Sequence, residues 1–114
     1  MPYLKINTNI DIDKDNTVTI VNEASAEISK LFGKPENYIM IELNSSLNMS
    51  FAGTSDPLAY LELKSIGLPT EATAILSASL CSFITSHLKI DPARIYIEFA
   101  DAERHLWGWN TSTF

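Results

Sequence analysis

The chain has 114 residues, of which 46% are hydrophobic and 19% charged, with a formal net charge of -6 and a pI near 4.7. This length and composition fit one globular domain over residues 1–114 and are atypical of a disordered chain. The acidic balance argues against nucleic acid as a partner and against binding to an anionic membrane surface.

The first strand is predicted over residues 3–7, where apolar and polar residues alternate. A polar loop, 11–16, leads to a helix over 17–32, whose end is marked by Gly33 and by Pro35 just beyond it. The apolar residues that recur at helical spacing are Val18, Val21, Ala24, Ile28, Leu31 and Phe32.

The second strand is predicted over 38–43, with Ile39, Ile41 and Leu43 on one face and Met40 and Glu42 on the other. Residues 44–57, rich in Ser and Asn, form a loop. A third strand follows over residues 58–63 and is closed by a glycine and a proline, at positions 67 and 69.

Thr70 is predicted to cap the second helix, which Asp91 and Pro92 end. Its buried side is predicted from the apolar residues Ala72, Ile75, Leu76, Leu80, Phe83, Ile84 and Leu88. A fourth strand spans residues 94–99, and the aromatic tail over 106–114 is expected to be strand in part.

This order predicts an α+β fold in which two β-α-β units form one four-stranded sheet with two helices on one face. Residues 39–43 and 95–99 resemble each other, which supports two related units. Apolar and aromatic residues alternate onto the second face of the sheet as well. Because such a face needs cover, we expect the protein to form oligomers.

Cysteine and histidine are too scarce for a disulfide or a zinc cluster, since Cys81 is the single cysteine. We therefore expect no metal and no cofactor. The N-terminus has no charged segment followed by an apolar run, and no stretch approaches ~18 apolar residues. These features predict a cytoplasmic protein without a signal peptide or membrane insertion, for which non-classical release stays open.

Several motifs occur in a fixed order along the whole chain. They are Met1-Pro2, Ile6–Asn9, Gly33-Lys34-Pro35 with Tyr38-Ile39, Met49–Pro57, Ser65-Ile66-Gly67, Leu88–Ile97 and Gly108–Phe114. As a set they resemble the macrophage migration inhibitory factor and D-dopachrome tautomerase family of the tautomerase superfamily. The resemblance implies a barrel-like homotrimer with three sites at its subunit interfaces.

The resemblance also implies that Pro2 is a catalytic base and acid. Initiator methionine is generally removed before proline, which would leave a secondary amine at position 2. An α-amino group has a pKa near ~7.7–8.0, and an apolar site lowers this pKa because burial disfavours the ammonium form. Pro2 would then act as a general base near neutral pH, provided that Met1 is absent.

The other site residues are assigned by the same resemblance. Lys34 would bind the substrate carboxylate, Ile66 would offer its backbone, Tyr96 would come from the neighbouring subunit, and an aromatic wall would consist of Tyr38, Trp109 and Phe114. Without the family, the preferred interpretation of Lys34 is a solvated charge at a helix C-terminus. For Tyr38, core packing is as good an interpretation as a role in the site.

The implied function is keto–enol tautomerisation of arylpyruvates, as in a phenylpyruvate tautomerase. The small aromatic 2-keto acid is thus the expected ligand. A cytokine-like signalling or binding role, with a vestigial or ligand-sensing pocket, is the alternative, and its receptor is unknown.

Three positions depart from the animal members. Glu98 replaces an asparagine that faces the substrate ring, and Trp107 replaces a smaller residue near the pocket mouth. Residues 58–61 read Leu-Ala-Tyr-Leu where those members carry Cys-x-x-Cys, so thiol–disulfide activity is not expected. Arginine-activated tautomerase chemistry finds no support either, since Arg94 lies in the turn motif and Arg104 is the one other arginine.

Overall fold

A computed structural model describes all 114 residues and shows an α+β fold. The strands are β1 (Tyr3–Thr8), β2 (Met40–Asn44), β3 (Ala59–Ile66), β4 (Ile95–Ala102), β5 (Gly108–Trp109) and β6 (Ser112–Thr113). The helix α1 (Lys14–Phe32) connects β1 to β2, and α2 (Thr73–Leu88) connects β3 to β4. The predicted order of two β-α-β units is therefore confirmed.

The two helices begin differently from the prediction. The helix α1 starts earlier, because the side chain of Asp13 accepts a hydrogen bond from the backbone of Asn16 at 2.9 Å. The helix α2 starts after a 3-10 turn, Thr70–Ala72, in which the amide of Ala72 donates to Pro69. Thr70 makes no side-chain cap, so its predicted capping role is wrong.

The main sheet has the strand order β2-β1-β3-β4. The central strand β1 is parallel to β2 and antiparallel to β3, and β3 is parallel to β4. Because side chains alternate along each strand, neighbouring residues in register share a face. Met40, Tyr3 and Lys64 form one such row across three strands.

Both helices bury their apolar side against one sheet face. The cluster of 15 buried residues includes three from α1, Ile20, Ala24 and Ile28, and four from α2, Leu76, Leu80, Ile84 and Leu88. Burying such a side chain contributes about 1.5–3 kcal/mol. Val18 and Ile75, expected on the buried sides, are instead 55% and 68% exposed. Neither helix is both long and apolar enough to span a bilayer.

The open sheet face is more polar than the sequence pattern indicated. Its second row runs Glu42, Lys5, Glu62 and Glu98 across the four strands. Met40 and Tyr96 are the large exposed apolar or aromatic residues of this face. The open face thus presents charge as well as apolar surface.

Candidate active site

A cavity of about 540 Å³ lies at the start of β1. Five residues singled out from the sequence line it, namely Pro2, Tyr38, Trp107, Trp109 and Phe114. The cavity is within the size range of small-molecule sites. It therefore gathers residues from both chain ends and from the turn before β2.

Pro2 is held by the sheet. It is less than 2% exposed, and its carbonyl accepts a hydrogen bond from the amide of Met40 at 3.0 Å. Proline cannot donate to a sheet ladder, so a place just before the first residue of β1 suits it. The residue thus has a fixed place among those that line the cavity.

Aromatic rings form one wall of the cavity. The ring centroid of Tyr38 lies 5.9 Å from that of Trp109 and 6.5 Å from that of Phe114, both edge to face. Trp109 and Phe114 stack at 5.3 Å. The C-terminal hairpin is fixed by the amide of Phe114, which donates to the carbonyl of Trp107 at 3.2 Å. Such a wall offers apolar surface to an aryl ring.

The N-terminal amine lies in an environment that lowers its pKa. Burial lowers the pKa of the Met1 amine, and the nearby Lys34 ammonium lowers it further. Lys34 follows Gly33, which has the left-handed φ of 61° that glycine adopts without strain. The hydroxyl of Ser29 donates to the carbonyl of Lys34 and fixes this turn. Lys34 lies near the amine without lining the cavity.

Besides Lys34, two further predicted site residues stay outside the cavity of a single chain. Ile66 is 9% exposed at the end of β3, and Tyr96 is 65% exposed on β4. The Tyr96 ring packs edge to face on Phe51 at 4.8 Å. Neither residue lines the cavity with Pro2.

Sequence reasoning did not single out five further lining residues, which are Tyr3, Asn37, Met40, Glu42 and Lys64. The Tyr3 hydroxyl donates to Glu42 Oε1. Burial and this carboxylate raise the pKa of Tyr3 to about 12. The hydrogen bonds from Tyr3 and Asn44 lower the pKa of Glu42, so its carboxylate stays ionised. Alternation along β2 had already put Met40 and Glu42 on one face.

Glu98, one of the departures, lies away from the cavity on the open face. Its carboxylate accepts a hydrogen bond from the Tyr60 hydroxyl at 3.3 Å. The Tyr60 hydroxyl also lies 3.2 Å from Glu62. Burial, followed by the charges of Glu62 and Glu98, raises the pKa of Tyr60 to about 12. Within one chain, Glu98 therefore acts on Tyr60 and not on Pro2.

Arg94 holds a loop and takes no part in the cavity. Its guanidinium donates to four backbone carbonyls between residues 51 and 57, at 3.0–3.3 Å. It also lies 5.3 Å from the ring centroid of Phe51. No group of three or more His, Cys, Asp or Glu side chains is arranged to hold a metal ion.

Known proteins resemble this chain in sequence and in fold over nearly its whole length. The family model described as Macrophage migration inhibitory factor (MIF) matches residues 1–114. A macrophage migration inhibitory factor homolog of Brugia malayi is 37% identical, and the match covers 100% of this chain and 99% of that protein.

Solved structures agree with the sequence comparison. The macrophage migration inhibitory factor homologue from Prochlorococcus marinus is 38% identical, with a TM-score of 0.91 over 98% of both chains. The macrophage migration inhibitory factor from Trichinella spiralis is 29% identical, with a TM-score of 0.90 over 98% of this chain and 99% of that one.

Proposed function

Because the chain belongs to the macrophage migration inhibitory factor family, a family of tautomerase-superfamily isomerases, we propose that it is a keto–enol tautomerase. Its substrates are arylpyruvate-type 2-keto acids, and Pro2 is the general base and acid. One observation carries the proposal: Pro2 is less than 2% exposed at the end of an aromatic-walled cavity.

The environment favours a neutral amine at this place. Burial and Lys34 already lower the pKa of the Met1 amine. Once Met1 is removed, the amine lies one residue deeper, on the more buried Pro2. Burial there disfavours the ammonium form further. A chain that keeps Met1 has an amide nitrogen at Pro2 and no base.

The reaction moves one proton. Neutral Pro2 removes a proton from the β-carbon of the keto acid, and the resulting ammonium delivers that proton to the carbonyl oxygen, which gives the enol and restores the neutral amine. In the reverse direction neutral Pro2 takes the proton of the enol hydroxyl and delivers it to the β-carbon. Lys34 binds the carboxylate and Tyr38, Trp109 and Phe114 pack on the aryl ring, which keeps the β-carbon next to the amine.

We place the site in a homotrimer. Ile66 and Tyr96 lie outside the cavity of one chain, and Tyr96 is exposed. A neighbouring subunit would bring Tyr96 to the cavity, and Ile66 would offer its backbone there. Light scattering on a sizing column tests this assembly, and a stable monomer would contradict it.

The central experiment compares phenylpyruvate tautomerisation by three preparations of verified intact mass. These are the chain that begins at Pro2, the same chain acetylated at its N-terminus, and Pro2→Gly. We expect a loss of about 10²-fold or more in kcat/KM for the acetylated chain, whose nitrogen is no longer basic, since general acid–base catalysis contributes that much. Pro2→Gly keeps a terminal amine but lacks the ring that orients it, so its kcat/KM should fall as well. Pro57→Gly, outside the cavity, is the matched control and keeps the activity. Equal rates in all four forms would refute the mechanism.

A cytokine-like binding role is the second candidate. It is supported by the relatives whose name describes inhibition of macrophage migration. Under this hypothesis a cell-surface partner binds a protein without measurable turnover, and Pro2→Gly binds that partner as well as the wild type does. Turnover that disappears in Pro2→Gly would favour the enzyme instead.

A further inference from the structure

Two charged side chains line the cavity, Glu42 and Lys64. The sheet brings them together, because Lys64 is in register with Tyr3 on the central strand, and Glu42 follows the register partner of Tyr3 by two residues along β2. Residues two apart on a strand share a face. The cavity therefore has a polar end on the open face of the sheet.

The carboxylate of Glu42 is already occupied. Its Oε1 accepts a hydrogen bond from the Tyr3 hydroxyl, and its Oε2 accepts one from the side-chain amide of Asn44 at 3.1 Å. Lys5 is its register neighbour on β1 and offsets its charge. The single hydroxyl proton of Tyr3 is already donated to Glu42 Oε1. Neither residue therefore has a donor left for a ligand.

Lys64, unlike Tyr3 and Glu42, has hydrogen-bond donors that are free for a ligand. Its ammonium lies 3.7 Å from Glu62 Oε2, which is too long for a hydrogen bond, and its side chain is 45% exposed. The Glu62 side chain is only 19% exposed, but the long distance and the half-exposed Lys64 side chain leave this ion pair weak. All three N–H donors of Lys64 are therefore available to a ligand in the cavity.

We propose that Lys64 is a specificity-determining residue that binds a second acidic group, so that the site favours arylpyruvates with a carboxylate on the ring. This inference rests on the proposed function and concerns the same site. Lys34 binds the 2-keto acid beside Pro2, and Lys64 binds the ring carboxylate at the polar end. A charge-assisted hydrogen bond to a carboxylate is the strongest that an ammonium makes.

The test uses the purified assembly and two substrates, phenylpyruvate and 4-carboxyphenylpyruvate. The quantity measured is the ratio of their kcat/KM values. We expect the wild type to favour the ring carboxylate, and Lys64→Met to lower this ratio about tenfold. Lys5→Met is the matched control, because Lys5 lies on the same sheet face outside the cavity. That variant keeps the ratio.

A ratio that is the same in wild type and Lys64→Met would overturn the inference. If the wild type turns over neither substrate, the proposed function fails, and binding then decides the inference. Calorimetry with 4-carboxycinnamate and cinnamate gives the corresponding ratio of Kd values, which should also change about tenfold in Lys64→Met. An unchanged Kd ratio would overturn it. Thermal melting verifies that each variant is folded.

Discussion

The units β1-α1-β2 and β3-α2-β4 end their helices in the same way. Gly33 and Lys89 both have left-handed φ angles, 61° and 59°. Their amides donate to the carbonyls of Ser29 and Thr85. The hydroxyls of Ser29 and Thr85 each donate to the carbonyl one residue beyond the left-handed position. The two units thus share their local geometry down to single hydrogen bonds.

The two units differ in the role of the 3-10 turn that follows each helix. Each unit continues into a 3-10 turn before its second strand, and the turn ends at Tyr38 in the first unit and at Arg94 in the second. Tyr38 lines an open cavity, whereas Arg94 holds the loop of residues 51–57 by its carbonyls. The side chain at the matched position thus separates the two units: Tyr38 lines a cavity in the first, and Arg94 fixes a loop in the second.

The largest expected effect is on the free energy of unfolding, and it tests whether the two β-α-β units are energetically equivalent. Ile28 and Ile84 are fully buried at matched places on α1 and α2. Each change to alanine should lower the free energy of unfolding by about 3 kcal/mol, from lost burial and the cavity left behind. Urea unfolding at one fixed protein concentration measures this. Values that differ by more than about 1.5 kcal/mol would show that the units are not energetically equivalent.

The next effect separates the two turns. Arg94→Met should cost about 1–3 kcal/mol of stability, because charged hydrogen bonds to several carbonyls are lost. Tyr38→Ala should change stability less and lower kcat/KM for phenylpyruvate about tenfold. Urea unfolding and steady-state kinetics on both variants make the comparison. A stable but inactive Arg94→Met would reverse the assignment of the two turns.

A smaller effect concerns pH. Burial and Lys34 both lower the pKa of the Met1 amine. In the proposed mechanism the amine is that of Pro2, one residue further along, and activity needs its neutral form. Lys34→Met removes one of these causes, so the rise of kcat/KM with pH should move to higher pH. Lys30→Met, which is exposed in the last turn of α1, is the control. A profile that does not move would mean that Lys34 is too far from the Pro2 amine to affect it.

The smallest effect is one that both units should share. Tyr3 beside Glu42 and Tyr60 beside Glu98 have pKa values raised to about 12, above ~10 for an unfolded chain. A raised acid pKa contributes stability below pH ~10 that is lost as pH rises towards 12. Unfolding at increasing pH should show this loss, and Tyr3→Phe or Tyr60→Phe should each reduce it. An identical loss in both variants and wild type would contradict the assignment.

The sequence predicted the elements well and some helix faces poorly. Apolar residues in close succession, as at Val18 and Ile20, fit more than one helical stripe, and packing selected Ile20. The neighbours Ile75 and Leu76 present the same ambiguity. The start of α2 was missed because Pro69 begins a 3-10 turn that displaces Thr70 from the capping position.

The site was predicted in part. Pro2 and the aromatic wall followed from the family resemblance, and the structure brings them to one cavity. Lys64 was missed because its place depends on β1 lying between β2 and β3, which periodicity does not reveal. Neither Ile66 nor Tyr96 lines the cavity of one chain, so their roles in the site stay predictions.

Pro2 and Phe114 line the same cavity although nearly the whole sequence separates them. The cavity is complete only when both ends of the chain are in place. A partly synthesised chain therefore has Pro2 without its pocket, and its amine stays in water. Circular permutation, which close chain ends usually permit, would join this amine into a peptide bond. The fold would tolerate the new connection, whereas the proposed base would be lost.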